Sequence, residues 1–208
     1  MVSGSDRALK RLFDILLSAS GLILSSPLWL LIALAIKAED GGPVFYGHKR
    51  VGKDGRLFRA YKFRSMIPDA EREVGPIQAA YDDPRVTRVG RILRGSAMDE
   101  LPQLWSILKG DMSFVGPRAL RPREIEVNGA GGAISLKSIP GYQERLRVQP
   151  GLTGIAQVYA PRNLARHCKF RYDLLYIKRQ SLWLDLRLIL ASFWITARGK
   201  WESEEDKI

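Results

Sequence analysis

Asp99 and Glu100 are adjacent carboxylates just ahead of Pro102. Side by side, two carboxyl groups can divide labour: one attacks phosphorus or binds metal, while the other moves a proton or binds metal. Proline suits the first turn of a helix. DELPQLWSILK therefore predicts an amphipathic helix that starts near Asp99 and stops at Gly110. A carboxylate at a helix start ordinarily caps free N–H groups. The same position can also seat a phosphate. Lys62, Arg64, Arg94 and Arg118 could offset phosphate charge around the pair. The chain has neither a G-x-x-x-x-G-K-[ST] loop nor a G-x-G-x-x-G turn, so no such loop cradles the phosphate.

Composition narrows the setting. With 208 residues, 46% of them hydrophobic, the chain is one ordinary domain with a substantial core. Lys and Arg number 33 against 22 Asp and Glu, a net charge of +11 that calls for an anionic partner. Nucleic acid, an anionic membrane face and a phosphorylated substrate all qualify. The single cysteine, Cys168, excludes an internal disulfide and argues against a Cys-based metal site. His48 and His167 are too few for a zinc site, and structural roles are expected for both.

Ile15 to Ile36 is a run of 22 residues without a charge, long enough for a membrane helix. No small-residue cleavage site follows it, so it is not a cleaved signal peptide. Ser25-Ser26-Pro27 interrupts its middle, where proline removes a backbone donor and crowds the preceding turn. Three readings stand: a kinked spanning helix, a helix-break-helix that enters the membrane and returns, and, third, a buried helix of a soluble protein. Basic residues flank both ends, and the positive-inside rule then puts both flanks in the cytoplasm, which one span cannot satisfy.

Further along, the Asp54-Gly55 pair predicts a β-hairpin of Val44–Val51 with Leu57–Phe63. Arg88, Arg91 and Arg94 fall at helical i, i+3, i+6 spacing, either a solvated basic face or a phosphate site. GDMSFVGPR, QPGLTG and NGAGGA read as loops. Residues 163–179 read as a polar helix. In SLWLDLRLILASFWITARGKW, residues Leu182, Trp183, Leu186, Leu188, Ile189, Phe193 and Trp194 gather on one broad face, as in a helix at a membrane–water boundary or in a core. The ESEEDKI tail is expected to fray.

The string DELPQLWSILKGDMSFVGPR resembles the signature of the bacterial sugar transferases, the monotopic polyprenyl-phosphate phosphoglycosyl transferases. YKFRSM, QPGLTGIAQV, KRLFD…SSP and YDLLYIKRQSLWLDL match in the same order, so the resemblance covers about Lys10 to Trp194. The chain looks like the small form that carries the catalytic domain alone.

The resemblance implies an α+β, mostly helical fold. Residues 1–40 would form a re-entrant membrane hairpin helix, and 41–208 a cytosolic-face catalytic domain with a small β-hairpin and an interfacial C-terminal helix. It implies transfer of a sugar-1-phosphate from a nucleotide sugar, typically a UDP-sugar, to polyprenyl (undecaprenyl) phosphate, with release of UMP. This would be the first membrane step of surface polysaccharide or glycoconjugate synthesis, at the inner leaflet of the bacterial cytoplasmic membrane. Asp99 would be the nucleophile, forming a covalent aspartyl phosphosugar. Glu100, with Asp99, would hold Mg²⁺. Lys62, Arg94 and Arg118 match the family's phosphate-region basic residues, and Thr153 and Gln157 match its substrate loop. Ser26-Pro27 match the membrane break. The family often reads QVNGRN where this chain has QVYAPRN, one residue longer, with Arg162 in place of the loop arginine. That departure bears on the choice of sugar and nucleotide. Anionic lipid is an expected partner, a homo-oligomer stays open, and nucleic acid is not expected. A basic membrane-anchored binding module, or a single-pass membrane enzyme of another kind, would leave the five ordered motifs unexplained.

Overall fold

A computed structural model describes residues 4–70, 83–122, 124–127, 133–161 and 163–199. A single long helix, α1 (Gly4–Asp40), opens the described chain and packs mainly against the third α-helix, Gln103–Lys109. A hairpin comes next, β1 (Phe45–Val51) with β2 (Leu57–Phe63), in antiparallel register from Phe45 opposite Phe63 to Val51 opposite Leu57. Its turn is a 3₁₀ piece over Lys53–Gly55 in which Asp54 and Gly55 take positive φ, as the Asp-Gly pair requires. Short helices α2 (Arg88–Gly95) and α3 (Gln103–Lys109) follow. Then come β3 (Ser113–Val115), β4 (Ile125–Val127), β5 (Ala133–Ser135), α4 (Tyr142–Arg145), β6 (Gly151–Thr153) and α5 (Ile155–Tyr159). Two longer helices, α6 (Arg166–Arg179) and α7 (Leu182–Ala197), close the described chain.

The expected α+β, mostly helical class is what is found. Two stretches read as loops are strands: β3 lies in GDMSFVGPR and β6 in QPGLTG, and they pair in parallel. Three residues apiece are too short for alternation to show. Glycine permits this pairing, because a Cβ on Gly151 would lie 2.0 Å from the Gly116 nitrogen and one on Gly116 would lie 2.4 Å from the Gln149 oxygen. NGAGGA lies largely outside the described residues, as does the ESEEDKI tail.

The main core gathers Leu104, Ile107, Met112, Val115, Val158, Tyr176, Leu188 and Ile195, with Phe13 and Leu17 of α1 packed on it. A second cluster joins Ile32 and Ile36 of α1 to Phe63 and Leu93, and Leu28 and Trp29 rest against it. Trp29 meets the Phe63 ring edge-on, 5.2 Å between centroids. The two halves of α1 therefore seat on the same body, and polar ties reinforce both. Near its start, Arg11 donates to the carbonyls of Ile107 and Leu108 at 2.7 and 2.6 Å. Near its end, Glu39 accepts from the backbone amides of Arg88 and Val89 at 2.7 and 3.1 Å, supplementing the Thr87 cap of α2. Between these anchors Ile23 and Leu24 are 72% and 80% exposed.

The break expected at Ser26-Pro27 is absent: one helix runs through it, although Pro27 has no N–H to give the Ile23 carbonyl. The Ser26 hydroxyl donates to the Ile23 carbonyl at 2.8 Å, and the Trp29 indole N–H donates to Ser25 Oγ at 3.0 Å. Serine side chains thus engage the backbone that proline disturbs.

α7 divides differently from the sequence reading. Leu188 and Ile189 are buried, Trp183, Leu190 and Trp194 are exposed on the far side, and Phe193 is exposed one turn beyond Ile189. An apolar helix with one face in the core and an equally apolar face outside does not suit water. Asp185, a charge within this apolar segment, faces inward: Lys10 Nζ lies 2.6 Å and the Tyr176 hydroxyl 2.8 Å from its carboxylate.

Candidate active site

Asp99 does not cap α3. It sits in a separate 3₁₀ turn, Met98–Glu100, entered through Ala97 at φ +54, and α3 begins only after Pro102. The helix was expected to start near Asp99 with Pro102 in its first turn; it starts at Gln103, with Pro102 just ahead of it. The left-handed residue before the acidic pair is what the sequence did not reveal; it detaches the pair from the helix and turns both carboxylates toward β2. There Lys62 meets them, with Nζ 3.3 Å from Asp99 Oδ2 and in closer contact with Glu100 Oε1.

This triad lies in a cavity of about 1360 Å³ whose lining also includes Arg94, Arg118, Thr153 and Gln157. Seven of the residues singled out from the sequence are thus brought together. The Thr153 hydroxyl pairs with Ser192 Oγ of α7 at 2.5 Å, and the Gln157 amide reaches the Gly116 carbonyl at 3.4 Å. Arg162 lies outside the described residues. Ser26 and Pro27 are not in the lining, although their neighbour Ser25 is.

Arg64 lines the cavity but is committed elsewhere. Its guanidinium is salt-bridged to Asp40 and donates to the Pro43 carbonyl at 2.6 Å, anchoring the end of α1. Of the three arginines spaced along α2, only Arg94 is in the lining, and Arg88 and Arg91 are exposed. Arg85 forms a pair with Asp83 at 2.6 Å.

Sequence reasoning missed a second cationic wall. Arg50, Arg121, Arg145, Arg166 and Lys169 line the cavity with the carboxylates of Glu124 and Asp173 among them. Arg166 pairs with Glu124 at 2.6 Å, and Arg145 pairs with Asp173 at 2.6 Å with both side chains buried. These residues are scattered over 120 positions in ordinary-looking segments, so spacing gave no signal. His48 is in the same wall. Burial, then the charges of Arg50, Lys62, Arg121 and Arg118, pull it down to about 2, so it stays neutral and carries no proton in neutral solution.

The two carboxylates are tuned apart. Burial pushes Asp99 up, against the pull of Lys62, with the neighbouring Glu100 charge adding to the rise. For Glu100, burial pushes up but is outweighed by Lys62, Arg118 and Arg50, so it lies below the ordinary range. The pair therefore holds one firmly ionised carboxylate and one whose charge is poorly compensated, 7% exposed at the bottom of the cavity. A carboxylate stripped of water and held by a single 3.3 Å contact is an available nucleophile.

Among the described residues no group of three or more His, Cys, Asp or Glu side chains could cage a metal. Mg²⁺ needs no such cage, since it is commonly held by one or two carboxylates together with substrate phosphates. Asp99 and Glu100 fit that donor set.

The family described as Bacterial sugar transferase matches residues 5–199. The chain belongs to the bacterial sugar transferase family. It is 38% identical over 194 residues to the exopolysaccharide production protein ExoY of Rhizobium meliloti, covering 86% of this chain and 81% of that one. It is 42% identical over 193 residues to the UDP-glucose:undecaprenyl-phosphate glucose-1-phosphate transferase of Klebsiella pneumoniae. It is 36% identical over 208 residues to the undecaprenyl-phosphate galactose phosphotransferase of Salmonella typhimurium. These two alignments take in 90% and 93% of this chain but only 40% and 41% of the relatives' length.

Proposed function

We propose that this bacterial sugar transferase moves a sugar-1-phosphate from a UDP-sugar to undecaprenyl phosphate, through a phosphosugar held on Asp99. The observation that carries the reading is the undercompensated Asp99 carboxylate beside ionised Glu100 and Lys62, in a cavity with a cationic wall. The relatives named for undecaprenyl-phosphate sugar transfer support the substrates.

An Asp99 carboxylate oxygen forms a bond to the phosphorus bearing the sugar. The bond from that phosphorus to the bridging oxygen breaks, and UMP leaves with the electron pair. A phosphate oxygen of the lipid acceptor then attacks the same phosphorus, the P–O bond to Asp99 breaks, and the carboxylate is regenerated. Lys62, Arg94 and Arg118 lower the repulsion between anionic nucleophile and anionic diphosphate. Mg²⁺, held by Glu100 and Asp99 with the diphosphate, would supply further charge neutralisation. Lys62 also keeps the two carboxylates from repelling one another while the site is empty of phosphate.

The reaction would take place at the cytoplasmic face of the inner membrane. We read residues 1–40 as a re-entrant segment and 41–208 as the catalytic domain. α1 is long and apolar enough to cross a membrane and is mostly exposed, yet both its ends are tied to one body. With the exposed apolar face of α7 it forms a surface suited to the near leaflet, and the net charge of +11 attracts anionic headgroups.

Incubation with a panel of UDP-sugars, Mg²⁺ and undecaprenyl phosphate should release UMP for at least one sugar. Donor alone should leave a phosphosugar mass on the peptide containing Asp99. Turnover with no adduct at that residue would defeat the covalent reading. For topology, Ser5→Cys and Lys49→Cys in a Cys168→Ser background should both react from the cytoplasmic side only. Labelling from opposite sides would refute the re-entrant segment.

A further inference from the structure

By chemistry the lining of the cavity divides into two arms, which share it with the acidic pair. One is the cationic wall already described. The other is apolar and is built by two helix faces. Leu17, Gly21 and Ser25 are spaced four apart along α1, and Ile189 and Phe193 are four apart along α7, so each set lines one face. Ala156 of α5 lies in the same lining. We propose that this arm, between α1 and α7, is the groove for the first isoprene units of the lipid acceptor, and that Gly21 sets its width. The inference rests on the proposed lipid-phosphate acceptor and assigns its path.

Three observations commit the arm to that occupant. It is continuous with the space over Asp99, so a chain lying there would present its phosphate to the carboxylates. Its walls belong to the two helices with the most exposed apolar surface: Ile23 and Leu24 on α1, Phe193 and Trp194 on α7. A lipid tail could thus pass from bilayer to groove without crossing water. The cavity also exceeds the roughly 300–1,000 Å³ that a single small ligand fills, leaving room for a donor and the head of an acceptor together.

Gly21 controls the passage through what it lacks. A Cβ built there would lie 3.0 Å from Leu104 Cδ1, so any side chain must either displace Leu104 or extend into the groove. Glycine weakens a helix relative to alanine, and here close passage explains its presence.

The two half-reactions separate this inference from the one beneath it. Gly21→Leu and the milder Gly21→Ala are assayed in nanodiscs for the burst of UMP released by donor alone, and for the KM of undecaprenyl phosphate. The burst should remain in both variants. The acceptor KM should rise about tenfold in Gly21→Leu and less in Gly21→Ala, matching the cost of overpacking a close contact. Wild-type KM should also fall as the prenyl chain lengthens from two to five units, and the dependence should flatten in Gly21→Leu. An unchanged acceptor KM in Gly21→Leu overturns the groove, as does loss of the burst in Gly21→Ala, which would place the residue on the donor side. Absence of a burst in the wild type defeats the covalent reading instead, and the acceptor KM then still decides the groove.

Discussion

Two lysine–aspartate pairs in this molecule are built from the same atoms and do opposite things. Lys10 and Asp185 join α1 to α7. The lysine also reaches the Val115 carbonyl at 3.2 Å, and Tyr176 supplies the second carboxylate oxygen with a partner at 2.8 Å. Lys62 and Asp99 join β2 to the acidic turn, but there one ammonium serves two carboxylates and Asp99 receives only a 3.3 Å contact. Burial pushes the carboxyl group up in both pairs. The difference lies in satisfaction and access. Asp185 is sealed and saturated, so it stabilises a packing arrangement; Asp99 faces a cavity with bonding capacity in reserve. A buried ion pair becomes a reactive site when one partner is left short.

The strongest way to break this contrast is Asp99→Asn. We expect about a 10⁴-fold loss of transfer, with loss of the donor burst, because the amide cannot attack phosphorus. Thermal unfolding should be unchanged or slightly higher, since an undercompensated charge has been removed. Near-normal UMP release would end the nucleophile assignment.

Asp185→Ala tests the other pair. It strands the Lys10 charge in the interior and should destabilise the protein by about 3–5 kcal/mol, read from denaturant unfolding in detergent. An effect under 1 kcal/mol would show that this pair, too, is held loosely.

Lys62→Gln should lower turnover roughly 10–100-fold. It should also move the acid limb of the donor half-reaction. Asp99 must be ionised to attack, and burial already holds its carboxyl above the ordinary carboxylate range, so activity falls as pH drops through that raised pKa. Lys62 is the main influence pulling it down; without that charge the limb should shift to higher pH. A limb that stays in place would mean another group governs it.

Tyr176→Phe is the mildest test. Removing the hydroxyl from Asp185 should cost about 1 kcal/mol of stability and leave the pH profile of transfer untouched. A shifted profile would couple the two pairs and blur the distinction.

The hairpin and the two terminal apolar helices were legible because their signals are local: an Asp-Gly turn and apolar runs; Pro102 located α3 only to within about a turn, since the expected start near Asp99 falls four residues early. The carboxylate pair was legible as a candidate, but its environment was not. Ala97 at φ +54 carries no mark in the sequence, since alanine is not a usual left-handed residue. The cationic wall was hidden for a different reason. Arg50, Arg121, Arg145 and Arg166 converge only through tertiary packing, and each looks like an ordinary surface charge in its own segment. The inward turn of Asp185 was hidden for a related reason, as periodicity records a charge in an apolar segment but not that Lys10 waits 175 residues away. Arg64 illustrates the same limit, because its proximity to the site is genuine while its bonds belong to α1.

The anchoring of α1 at both ends has a mechanical side. The helix cannot slide along its axis without parting Lys10 from Asp185 or Glu39 from the amides of α2. In the proposed re-entrant placement, the height of Asp99 above the hydrocarbon would therefore be geared to one monolayer. Total bilayer thickness should matter little to such an enzyme. Lateral pressure and headgroup crowding in the adjoining monolayer should act on it directly, as load on a wedge driven to a fixed depth.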